Sequence, residues 1–185
     1  MFPRLVLAAL LALCVCCRTK KYTGNSVCEL LKPQDIEAIY GEPFQPGQRT
    51  LLDDENDEYI GSNCSFDSVA RAPDAPKQAK FRVFIEVIYV EPEEASIAKI
   101  RRRWETSTYN NTPFYRNVHD IPGFGDAIGA RDYNGGFEIV SILKPSTKMD
   151  VTVMNVVEGE AEDRAKSVAQ KMINKLAAEK AAPVH

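Results

Sequence analysis

The fold is decided by the stretch Asn134-Gly-Gly-Phe-Glu-Ile-Val-Ser-Ile-Leu143 and its continuation Lys144-Pro-Ser-Thr-Lys-Met-Asp-Val-Thr-Val-Met-Asn-Val156. Asn134-Gly135-Gly136 is a tight-turn signal, Pro145-Ser146-Thr147 turns the chain again, and the runs between them are apolar and β-branched. With a strand ending near Tyr133 they make a three-stranded meander beginning at residue 127. Met149, Val151 and Val153 alternate with Asp150 and Thr152, as expected for an antiparallel strand with one wet face. A helix follows over 160–178, in which Ala161, Ala165, Val168, Ala169, Met172, Ile173 and Leu176 return at helical spacing.

Working back toward the amino terminus, Phe81-Arg-Val-Phe-Ile-Glu-Val-Ile-Tyr-Val90 is a strand with Phe81, Val83, Ile85, Val87 and Tyr89 on one face. Its other face mixes Arg82 and Glu86 with Phe84 and Ile88, which marks it as central and covered on much of both sides. Pro92-Glu93-Glu94 is the expected opening of a second helix carrying Ile97, Ile100 and Trp104, with Lys99 and Arg101 to Arg103 toward its carboxyl end, the order that the helix dipole favours. Asn63-Cys64-Ser65-Phe66 begins a strand, and Pro33 to Tyr40 is a helix stopped by Gly41 and Pro43. Between them, residues 45–61 show no period and include the acidic run Asp53 to Glu58, so an exposed loop is expected. The resulting order is α-β-β-α-β-β-β-α. Segregated antiparallel strands packed by helices define an α+β fold and exclude a doubly wound sheet.

The amino terminus sets the compartment. Arg4 precedes an unbroken apolar run from Leu5 to Cys17, too short to span a bilayer and without the polar stripe of a buried helix. Residues 1–17 therefore read as a secretory signal peptide, 18–26 as a polar linker, 27–178 as one α+β domain and 179–185 as a flexible tail. Leu13-Cys14-Val15-Cys16 loosely follows a bacterial lipoprotein signal, with Val15 where a smaller residue is usual, which makes Cys16 and Cys17 candidate lipidation sites. Lipid would be the protein's only membrane attachment. Three of the five cysteines lie in this leader, leaving Cys28 and Cys64 as a pair suited to a disulfide in an oxidising compartment. The alternative is two buried free thiols in a cytosolic chain.

Composition narrows the function. The 26 acidic and 23 basic residues give a net charge of −3, whereas a nucleic-acid-binding domain would be clearly basic. His119 is the one histidine outside the carboxyl-terminal tail, so a His-rich zinc site is excluded and a hydrolase has one available base. The acidic run at 53–58 lacks the glycine and the final glutamate of a calcium loop, having Glu58 and Cys64 at those positions. In Ile121-Pro-Gly-Phe-Gly-Asp-Ala-Ile-Gly129, Gly123 and Gly125 are followed by strands and not by a helix. The dinucleotide reading fails on that context, and the glycines turn the chain into the sheet with Asp126 capping the turn.

Cys28-Glu-Leu-Leu, Asp35 to Gly41, Asn63-Cys64-Ser65-Phe66, Gly123-Phe-Gly-Asp-Ala127, a Gly-Gly turn and a closing amphipathic helix together resemble the small exported proteins of bacterial envelopes grouped as domains of unknown function, many of them assigned as lipoproteins. The resemblance spans most of 27–178 and implies an α+β domain with one disulfide and no established activity. The expectation is a non-enzymatic protein of the periplasm or cell surface, without a cofactor, that binds an envelope protein or a small ligand. Trp104, Tyr109, Phe114, Tyr115 and Phe124, with Asp126, are the candidate contact residues. Two alternatives are an inhibitor of an envelope-directed hydrolase acting through the 45–61 loop, and a small hydrolase using His119 or a carboxylate such as Asp126 or Asp132.

Overall fold

The computed structural model describes residues 26–52, 60–70, 80–90, 95–143 and 147–181. Residues 1–25 with Cys16 and Cys17, the acidic run at 53–58, Pro92 to Glu94 and most of the expected tail lie outside the described residues. No helix among the described residues is long and apolar enough to cross a membrane.

In chain order the elements are α1 (Val27–Leu30), α2 (Pro33–Tyr40), β1 (Gln48–Leu52), β2 (Ile60–Asp67), β3 (Arg82–Tyr89), α3 (Ile97–Thr106), β4 (Thr108–Tyr109), β5 (Thr112–Pro113), β6 (Tyr115–Asp120), β7 (Asp126–Asp132), β8 (Phe137–Leu143), β9 (Thr147–Met154) and α4 (Ala161–Ala181). Seven strands form one sheet in the order β1-β2-β3-β9-β8-β7-β6, each neighbour antiparallel. A meander β1-β2-β3 is followed by α3, which carries the chain to the far edge. A second meander then returns from β6 to place β9 against β3. The α+β class and the antiparallel sheet are as the sequence implied.

Alternation along the strands divides the core in two. Val83, Ile85, Ile139, Met149, Val151 and Val153 face α1, α2 and α4 in the larger core, which also holds Phe66, Phe137, Val168 and Met172. On the opposite face Ile128, Ala130 and Val140 pack with Trp104 and the partly buried Ile97, Ile100, Tyr115 and Val118. The helix α3 covers β6, β7 and β8 on that side.

The amino-terminal corner is fixed by covalent and polar bonds at once. Ser26 N–H donates to Glu29 Oε2 (2.9 Å), closing the first turn of α1, and Val27 N–H donates to Ser62 Oγ on β2 (3.0 Å). Cys28 and Cys64 form the disulfide, with their Cα atoms 5.3 Å apart. Gly47 lies over it: a Cβ there would sit 2.5 Å from Cys64 Sγ and 2.8 Å from Phe66. Asp35 anchors the next turn by accepting from Lys32 N–H (3.0 Å) and by facing Lys171 and Lys175 of α4 at 3.3 and 3.4 Å.

Several boundaries and elements differ from the sequence reading. Ser26 is buried and caps α1, so it belongs to the domain and not to the linker. Part of the expected loop at 45–61 is strand: β1 pairs with β2 from Gln48 opposite Ser65 to Leu52 opposite Gly61. The second helix begins at Ile97, because Ser96 caps it by accepting from Lys99 N–H, and Ala95 is not helical. His119 and Asp120 lie in the edge strand β6, an element that the sequence order above does not contain, paired with Gly129 and Ile128. The helix α4 continues through Glu179 to Ala181. The polar face of β9 is not wet: Asp150 and Thr152 are each 8% exposed.

Candidate functional site

The expected aromatic site is partly assembled and partly divided. Trp104 is buried, its ring stacked on Tyr115 with centroids 4.4 Å apart and planes 16° from parallel. Phe114 meets Tyr115 edge-on at 4.9 Å. Tyr109 is 52% exposed and packs at 5.2 Å against Tyr133, itself 44% exposed. These rings gather at one end of the sheet because the small hairpin β4–β5, turned by Asn110 and Asn111 at positive φ, sits beside the β7–β8 turn that carries Tyr133. Phe124 does not join them. It packs with the larger core on the other face and lines a shallow groove with Ile39, Lys166 and Lys171. Gly123 and Gly125, at φ +91° and +73°, make the sharp turn that sends it there. Asp126 is exposed and opens β7 opposite Ile142.

Behind the Trp104–Tyr115 stack lies a group of charges that the sequence reading did not single out. Glu86 on β3 and Asp150 on β9 are direct cross-strand partners, and Glu138 on β8 is diagonal to Asp150, opposite Thr152. Lys148 Nζ contacts Asp150 Oδ2 at 2.6 Å. Tyr115 O–H donates to Glu138 Oε2 at 3.0 Å. Asp150 Oδ1 is buried with no hydrogen-bond partner. Three carboxylates therefore share one nearby ammonium in a half-dry space.

The electrostatics follow from that arrangement. Burial, reinforced by the Asp150 charge, pushes the Glu138 carboxyl up to about 7. Burial and then Asp150 raise Glu86 as well, and burial raises Asp150 despite Lys148. Burial opposes the Lys148 ammonium, but Asp150, Glu86 and Glu138 outweigh it and hold the lysine above its ordinary range. Burial and Glu138 together raise the Tyr115 phenol. Glu86, Glu138 and Asp150 each alternate with core residues on their own strands. The signal was local, but their adjacency needed the sheet order.

The remaining candidates have structural surroundings. His119 Nδ1 lies 2.7 Å from the Asn117 carbonyl and Nε2 lies 3.3 Å from Glu162 Oε1 on α4. Both ring nitrogens thus face oxygen acceptors, and neither is directed at a hydroxyl or thiol. Asp132 is buried and its Oδ1 accepts from Gly136 N–H (2.9 Å), closing the β7–β8 turn. Arg101 pairs with Asp120 across the edge strand, while Arg102 and Arg103 are exposed. No group of metal-ligating side chains stands together among the described residues.

No protein-family profile matches the chain, and no curated protein sequence is significantly similar to it. Among solved structures, the extracellular domain of PknH from Mycobacterium tuberculosis is similar at a TM-score of 0.48 and 14% identity, over 84% of this chain and 99% of that one.

Proposed function

We propose that this is an exported bacterial envelope protein that works by binding and not by catalysis, holding a protein partner or small ligand against the surface formed by Tyr109, Phe114 and Tyr133. The observation that carries the reading is the pair of exposed tyrosines in ring contact, two amphipathic rings held out on adjoining turns. Tyrosines bring large contact area at small cost in side-chain entropy, which is why they concentrate in binding surfaces. Trp104 and Tyr115 support this surface from beneath. Export is supported by the apolar leader and by the Cys28–Cys64 bridge, since such bridges persist in oxidising compartments. Any membrane attachment is through lipid on Cys16 or Cys17. The inhibitor reading is weaker because Gln48 to Leu52 of its loop are committed to pairing with β2.

The test is site-specific photo-crosslinking in the native envelope from position 109, with position 69, where Val69 is 55% exposed, as the control. A discrete adduct from position 109 that disappears in the Tyr133→Ala background supports the proposal. Identical adducts from both positions, or none from position 109, refute it.

A further inference from the structure

The buried charges lie directly behind the aromatic surface, and one side chain joins the two. Tyr115 has its ring on Trp104 of α3 and its hydroxyl on Glu138 of β8. Trp104 is the only buried side chain of α3, with Ile97 and Ile100 partly buried beside it. The other face is held by the much larger core under α1, α2 and α4. The least strongly held cover in the described fold therefore stands over its least well-compensated charges.

We propose that Glu138, Tyr115 and Trp104 form a proton-operated latch on α3, closed while the carboxylate cluster holds a proton and released when that proton leaves. From β9, Asp150 and Lys148 face Glu138; from β7, Asp132; from β6, the Tyr115 hydroxyl; Glu86 on β3 faces Asp150 and Lys148 of the same cluster. The helix α3 meets it with apolar groups, and its Arg101 is engaged at the rim by Asp120. With Glu138 neutral, Lys148 balances Asp150. Loss of the proton adds a negative charge with no cation of its own, since Lys148 Nζ is already on Asp150. The Tyr115 hydrogen bond strengthens toward a charged acceptor, but it donates no charge. Water is the remaining source of compensation, and Glu138, part-buried on β8 where α3 packs, gains its full hydration by displacing that helix. The latch stands apart from the function proposed above; its consequence, exposure of Trp104 and Tyr115 at the binding surface, rests on that function.

Trp104 is the only tryptophan in the chain, so its emission reports the latch without any ligand. In the full-length processed protein, emission is expected to shift to longer wavelength as pH rises, with a midpoint near 7 set by Glu138. Hydrogen exchange in α3, corrected for intrinsic rates, should accelerate over the same range. Glu138→Gln should abolish the transition. Tyr115→Phe keeps the ring but removes a hydrogen bond that favours the ionised carboxylate, so the midpoint should move to higher pH. Flat emission from pH 5 to 9 in the wild type overturns the proposal, as does a transition that survives in Glu138→Gln. Should Glu138→Gln fail to fold, a midpoint unmoved in Tyr115→Phe overturns it equally. Crosslinking from position 109 is a separate readout, so failure of the latch and failure of the binding reading are told apart.

Discussion

Replacing Glu138 by Gln should stabilise the protein in mild alkali and change it little in mild acid. The carboxyl is raised from 4.5 to about 7 in the folded state. Between those values the folded protein holds a proton that the unfolded chain has released. Stability from this group is therefore complete below about pH 4.5 and falls as pH rises through about 7. At about 1.4 kcal/mol per pKa unit, the 4.5-to-7 displacement corresponds to at most about 3 kcal/mol lost between pH 4.5 and 8. Glutamine keeps the shape and the hydrogen-bonding capacity of the neutral acid but never ionises, so the variant escapes the loss. Urea denaturation followed by far-ultraviolet circular dichroism, at pH 5 and pH 8, measures the difference independently of Trp104. The expected result is a variant more stable than wild type at pH 8 by up to about 3 kcal/mol, with the gap mostly closed at pH 5. An equal difference at the two pH values, or a variant less stable at pH 8, would refute the reasoning, because either outcome means that Glu138 is not carrying a buried proton.

Other perturbations have outcomes set by different parts of the fold. Removing the disulfide as Cys28→Ala with Cys64→Ala, across a sequence separation of 36, should cost about 4 kcal/mol in the chain-entropy model and lower the melting temperature accordingly; a loss below about 1 kcal/mol would show the corner to be held by its other bonds. Gly61→Ala places a Cβ against the Val87 carbonyl and within 2.7 Å of Ile88 Cα, so it should cost about 2–3 kcal/mol in urea denaturation. Gly135→Ala meets no atom within 4 Å and bears only its φ of +86°, about 1 kcal/mol by the same assay. Asp35 runs against its burial, its carboxyl held below the ordinary range by Lys32 N–H, Lys171 and Lys175. Asp35→Asn should therefore cost about 1 kcal/mol at pH 7, with the deficit shrinking as pH falls below 4, as chemical denaturation across that range would show.

The helices α2 and α4 and the strands β3 and β8 were legible because each carries its own period: Val168, Ala169 and Met172 return at helical spacing whatever they pack against. The edge strands β1 and β6 were not. Gln48-Arg-Thr and Tyr115-Arg-Asn-Val-His-Asp120 are polar, and Asn117 sits at φ +56° where β6 bulges. An edge strand needs a partner's backbone more than an apolar pattern of its own. The sequence placed Asp150 on a wet face because alternation shows which residues share a side but not what covers that side. Tyr133 was missed as the partner of Tyr109 for a related reason, since each ring is an ordinary turn residue until the two turns meet.

By itself, then, the sequence determined the fold class, the pairing of Cys28 with Cys64, the central position of β3 and the closing helix, because each is written in spacing or in residue type within a short window. Only the tertiary structure decided that β9 lies between β3 and β8, and with it that Glu86, Asp150 and Glu138 are neighbours and that Phe124 and Trp104 stand on opposite faces. Those outcomes depend on which strands find one another across long stretches of chain. That choice is made by the burial of the whole sheet between its helices and is carried by no local stretch of residues.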